Sequence, residues 1–181
     1  MAAIAVILHG YSSASAMITG DGINFGLFKA TSLIFCLINL SLLLSLVRRP
    51  LQNLMVILFP LSTIALLVAT FAPGDGTLLT SLSAGMLTHI GTSILAYAVL
   101  TIAACQAAAL SLQDYQLRHR HTRGLVQLLP PLQVMETMLF EIVWVGLLLL
   151  TVAIASGFLF IDDIFAQHLV HKTVLSIIAL L

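Results

Sequence analysis

The chain alternates long apolar runs with short polar breaks. Ala2 to Ile18 is apolar at first, Ser-rich later, and holds His9 near its middle. It lacks the basic start of a signal peptide and predicts a short or incomplete transmembrane helix. Gly20-Asp21-Gly22 predicts a turn. The run from about Phe25 to Val47 is long enough to span, since about 20 residues cross the hydrocarbon. It stops at Arg48-Arg49-Pro50, where proline ends one helix and opens the next. Leu51 to Ala72 predicts another span, with Pro60 as a kink. Pro73-Gly74-Asp75-Gly76 closes it with turn chemistry.

A fourth helix is predicted from about Leu82 to beyond Leu112. It continues as an amphipathic extension from Gln113 to Arg123. Gly124 to Pro131 predicts a loop, closed by Pro130-Pro131. The fifth helix starts near Leu132, carries Glu136 and Glu141 in amphipathic first turns, and is almost purely apolar from Trp144 to Phe160. Asp162-Asp163 marks a turn, and a sixth segment runs from Gln167 to Leu181. Its roughly 15 residues at about 1.5 Å each fall short of a bilayer core of about 30 Å. The fold class expected is all-α: a polytopic membrane helix bundle of about six transmembrane segments, the last truncated. Residues 1–181 are expected to form a single integral membrane domain within a longer protein.

Composition strengthens this expectation. The chain is 60% hydrophobic and 8% charged, with mean hydropathy +1.13. Soluble domains run at about 25% charged, so a water-soluble fold would expose large apolar patches. Seven basic and seven acidic residues cancel, leaving no net basic field for nucleic acid. Cys36 and Cys105 sit in apolar runs and form neither a metal motif nor a disulfide framework. They are expected to pack as small hydrophobes.

Charge also predicts topology. Arg48 and Arg49 lie between the second and third helices, and Arg118, Arg120 and Arg123 between the fourth and fifth. The positive-inside rule makes both loops cytoplasmic, with Met1 on the same side. The turns at Asp21, Asp75 and Asp162-Asp163 carry no Lys or Arg and are expected outside. His89 then lies about two turns into the outer end of the fourth helix, and His168 and His171 at the outer end of the sixth.

His89 is the leading candidate for chemistry. Gly85, His89 and Ser93 recur every four residues with Thr88, Thr92 and Ala96 beside them, so they share a broad helical face. Met86, Ile90 and Ile94 point elsewhere. Small residues let another helix approach closely. A neutral imidazole can ligate haem iron through one nitrogen while the other is held by an acceptor. Thr88, Ser93 or a carbonyl on a neighbouring helix could supply it. Packing against a neighbouring helix is the alternative role. His9 is expected to hydrogen-bond between helices, with haem ligation as its alternative.

His168 and His171 share a face at i, i+3. They suit a metal site with Asp162 and Asp163 or an interfacial cluster, with Lys172 snorkelling beside them. Lys29 is expected to snorkel at the outer interface. His119 and His121 alternate with arginines in a loop suited to anionic lipids. Glu141 could pair with the Arg118 cluster or mark an ion path. No Gly-rich phosphate loop, nucleophile triad or CxxC motif appears, and no enzymatic turnover is expected.

At Gly85-Met-Leu-Thr-His-Ile-Gly-Thr-Ser-Ile-Leu-Ala-Tyr97 the sequence resembles the cytochrome c assembly family, the CcsA/CcmC/CcmF haem-handling membrane proteins. Within it the sequence is similar to the short bacterial YpjD-like inner-membrane branch. The likeness extends through Gln113-Asp-Tyr-Gln116, Leu129-Pro-Pro-Leu-Gln-Val-Met-Glu136, Ser156-Gly-Phe-Leu-Phe160 and His171-Lys-Thr-Val-Leu-Ser176. It implies a bacterial inner-membrane protein of cytochrome c assembly, with haem as cofactor. His89 takes the axial-ligand position with Tyr97 beside it, and His9, Thr88 and Ser93 lie among the neighbours. Assembly components or apocytochrome are the implied partners, beside membrane lipids. It also implies further helices before and after this span. The family's tryptophan-rich haem-presenting segment corresponds to Gly157 to His168, which has no tryptophan here; Trp144 lies inside the fifth helix. The expectation is therefore haem handling. The two alternatives are an accessory or transport protein for divalent metal ions, using Glu141, Asp162, Asp163, His168 and His171, and a structural membrane scaffold.

Overall fold

A computed structural model describes residues 1–20, 22–47, 51–72, 78–79, 83–120, 129–160 and 170–180. Six helices follow the hydropathy pattern: α1 (Ala2–Met17), α2 (Leu27–Ser45), α3 (Gln52–Phe71), α4 (Ala84–Arg118), α5 (Leu132–Phe160) and α6 (Val170–Leu180). Four of them, α2 to α5, are long and apolar enough to cross a membrane. The 16 residues of α1 rise only about 24 Å, and α6 has 11 described residues. The all-α membrane bundle is therefore the fold, with four helices of spanning length among the described residues.

The helices start where local chemistry allows. Ser83 caps α4, its hydroxyl accepting from the Met86 amide at 3.2 Å, which satisfies one of the orphan donors of a first turn. Pro131 directly precedes α5, and its carbonyl accepts from the amides of Val134 and Met135 at 2.9 and 3.1 Å. Pro60 lies inside α3, which remains one helix through it.

The hydrophobic core joins the later turns of α2, the first turns of α3 and α5, and the middle of α4. Ile38, Leu42, Leu54, Leu58, Ile102 and Met138 are fully buried there. Outward-facing Phe71, Phe140, Trp144 and Leu148 stay exposed, as a lipid-facing surface requires, because lipid tails are as apolar as these side chains.

One element departs from the all-helical expectation. Strands β1 (Ile18–Thr19), β2 (Gly22–Asn24) and β3 (Leu78–Leu79) form an antiparallel sheet in that order. Ile18 pairs with Ile23, and Ile23 with Leu79. Gly22 takes φ 140°, a conformation open to glycine and rarely to other residues. The sheet lies where α1 ends, α2 begins and the chain passes from α3 to α4. This is the hairpin end of the bundle; Arg118 marks the opposite end.

The 35 residues of α4 rise about 52 Å, more than a hydrocarbon core of about 30 Å. Its final turns therefore extend beyond the core when the helix spans. There Arg118 Nε meets Asp114 Oδ2 at 2.9 Å. His119 stacks on Tyr115 with ring centroids 4.2 Å apart, and its Nδ1 donates to the Tyr115 carbonyl at 2.8 Å. Arg120 ends the helix with φ 58°. His121, Arg123, the Arg48-Arg49-Pro50 break, the Pro73–Gly76 turn and Asp21 lie outside the described residues.

Candidate functional site

The two long helices α4 and α5 run antiparallel and touch along their length. Gln113 Nε2 donates to the Pro130 carbonyl at 3.0 Å, and Gln106 Nε2 to the Met135 carbonyl at 3.4 Å. Higher up, Gly146 lies under Leu100, so a Cβ there would fall 2.8 Å from Leu100 Cγ. Near the hairpin end, Gly85 lies against the Phe160 ring. Glycine on alternating sides is what brings these backbones close.

His89 sits inside this seam. Its Nδ1 lies 2.8 Å from the Ala153 carbonyl oxygen. A carbonyl only accepts, so Nδ1 carries a proton, and the neutral ring in this tautomer keeps its lone pair on Nε2. The ring lies over Gly157, where a Cβ would fall 3.0 Å from His89 Cε1 and 3.1 Å from Nδ1. Of the three acceptors open to His89 from sequence, the neighbouring helix's carbonyl is the one used. Thr88 is exposed and its hydroxyl turns back to the Ala84 carbonyl at 2.9 Å, so Thr88 departs from the expected contact face. Ala96 is 1% exposed, as that face requires. Ser93 is half-buried, and Tyr97 is largely exposed.

His9 occupies a different environment. Its Nε2 is hydrogen-bonded with Ser32 Oγ at 3.0 Å, and its Nδ1 with Ser62 Oγ at 3.1 Å. Ser13 Oγ reaches Ser32 Oγ at 2.9 Å, and Asn39 Nδ2 donates to Ser62 Oγ at 2.7 Å. These five buried side chains tie α1, α2 and α3 together. The interhelical role expected for His9 is the geometry found. In this arrangement both ring nitrogens have hydroxyl partners. Polar residues inside apolar spans were the available signal for Ser32, Asn39 and Ser62.

The remaining candidates are dispersed. Glu136 and Glu141 are exposed on α5, and Lys29 is half-buried near the start of α2. Cys36 is buried with its thiol 3.8 Å from the Val6 carbonyl, and Cys105 is half-buried; both are free. Asp162, Asp163 and His168 lie outside the described residues, as does the side chain of His171. Among the described residues, no three His, Cys, Asp or Glu side chains gather as a metal site.

The arrangement offers an imidazole anchored through Nδ1 and held against the α5 backbone at Gly157 with no intervening side chain, a donor that would suit a metal such as haem iron.

Comparisons with known proteins identify the family. A family model described as "Cytochrome C assembly protein" matches residues 1–181. Inner membrane protein YpjD of Escherichia coli (strain K12) is 33% identical over 180 residues, 98% of this chain and 68% of that protein. The YpjD proteins of E. coli O6:H1 and O157:H7 give the same figures. No solved structure matches the chain.

Proposed function

We propose that this chain, which belongs to the cytochrome c assembly protein family, is a haem-handling protein of the bacterial inner membrane with His89 as an axial ligand. The observation that carries the reading is the His89 Nδ1–Ala153 carbonyl bond of 2.8 Å. Holding one imidazole nitrogen this way fixes the orientation of the ring and leaves the other nitrogen to act as a ligand. When bound, haem supplies the ligand-exchange and redox chemistry of its iron. The protein's part is to present Nε2, to fix its orientation between α4 and α5, and to keep the seam dry. It acts as an assembly factor with no turnover of its own, beside other assembly components or an apocytochrome.

Charge sets the proposed orientation. The Arg118 end of α4 and Met1 face the cytoplasm, and the hairpin end with His89 faces outward. Membrane lipids contact the apolar flanks and the basic end.

The test is an absorption spectrum of the purified full-length protein beside its His89→Ala variant, each with and without added hemin. A Soret band present in the parent and lost in the variant is expected. A parent protein with no Soret band under either condition overturns the reading.

A further inference from the structure

The carbonyl that holds His89 has more than one donor. Ser156 Oγ donates to the same Ala153 oxygen at 2.9 Å. Within α5 this oxygen is also the i−4 acceptor for the Gly157 amide. Three donors thus converge on an oxygen with two lone pairs, and each weakens the others. Ala153, Ser156 and Gly157 are all buried, so water does not relieve the competition. Gly157 contributes differently: it leaves open the space in which the His89 ring lies.

We infer that Ser156 and Gly157 are positioning residues that set the tautomer and seat of the His89 imidazole at the shared Ala153 carbonyl. The inference rests on the haem reading only for its purpose; the geometry concerns the protein alone. Ser156 draws on the acceptor that anchors Nδ1 and so weakens that anchor. Removing its hydroxyl strengthens the anchor. A methyl group at position 157 does the reverse: the ring must move by some tenths of an ångström, and the Nδ1 bond lengthens. Adjacent residues on α5 therefore act with opposite signs. A purely structural pair would not.

The test uses the full-length protein, labelled with ¹⁵N-histidine in lipid nanodiscs without haem, with His89 assigned by its loss in His89→Gln. The parent is expected to show a protonated Nδ1 and an unprotonated Nε2. Ser156→Ala moves the Nδ1 proton downfield, and Gly157→Ala moves it upfield or mixes the two tautomers. Thr151→Ala leaves it in place, because Thr151 is exposed and bonds only its own helix's Leu147 carbonyl, at 2.8 Å. Hemin titration gives a second readout: Gly157→Ala weakens binding roughly 10–100-fold, the usual cost of losing a ligand's outer partner, and Ser156→Ala does not. A proton on Nε2 in the parent overturns the inference, as do shifts of the same sign, or no shifts, in the two variants. Opposite shifts without any hemin binding uphold the seat and remove the haem reading. Hemin binding with unmoved shifts does the converse.

Discussion

Two histidines in one bundle differ in burial and in partner chemistry, and so in what each ring is left free to do. His9 is 7% exposed and spends both ring nitrogens on hydroxyls of α2 and α3. His89 is half-buried and spends one on a backbone carbonyl of α5. The first joins three helices. The second bonds through one nitrogen and, among the described residues, has the other in reserve. An apolar setting leads each ring to find partners, because an unmade hydrogen bond there is costly. The number of partners then decides what the ring can still do.

Exchanging the two by mutation breaks or sharpens this contrast. The largest effect is on haem: His89→Ala abolishes the Soret band of the full-length protein, and His9→Ala retains it. Loss in both variants, with both folded by circular dichroism, erases the distinction.

Stability comes next. His9→Ala leaves the Ser32 and Ser62 hydroxyls without their shared partner. Ser32 keeps Ser13 and Ser62 keeps Asn39 as partners, so the cost is two interhelical hydrogen bonds, which in lipid average about 0.6 kcal/mol each, plus the buried cavity left by the ring. A loss of about 2 kcal/mol is expected in detergent unfolding, larger than that of His89→Ala, which orphans one carbonyl with other donors.

Gly146→Leu probes the α4–α5 seam without touching either histidine. Overpacking against Leu100 should cost about 1–3 kcal/mol and should weaken hemin binding, since the same seam seats His89. The same substitution leaving hemin affinity intact would separate seam from site. The smallest effect belongs to Arg118→Ala. Its pair with Asp114 is largely exposed, at 76% and 40%, and exposed pairs of this kind contribute within about 0.5 kcal/mol. The expected change in unfolding is at or below that.

Much of this was legible in the sequence because hydropathy is a one-dimensional signal. The apolar run from Leu132 to Phe160 is α5, and the capped rise into Ala84 is α4. The small residues around His89 announced a close neighbour. Its partner was less legible, since the Ala153 carbonyl is backbone and any residue type supplies one. Ser32 and Ser62 stand 23 and 53 positions from His9, and no local period connects them. The sheet was missed for a similar reason: strands of two or three residues carry little pattern, and β3 joins only after a whole intervening helix pair. Thr88 was misplaced because its hydroxyl satisfied itself on its own helix, as Ser and Thr side chains readily do.

The Ser83 cap works as a ruler. It fixes where α4 begins. His89 follows that cap by six residues, about 9 Å of helix. The imidazole's distance from the start of its helix is thus set by the protein. In a thinner or thicker bilayer, lipid-facing spans tilt to match the hydrocarbon, while His89 keeps its offset from the cap.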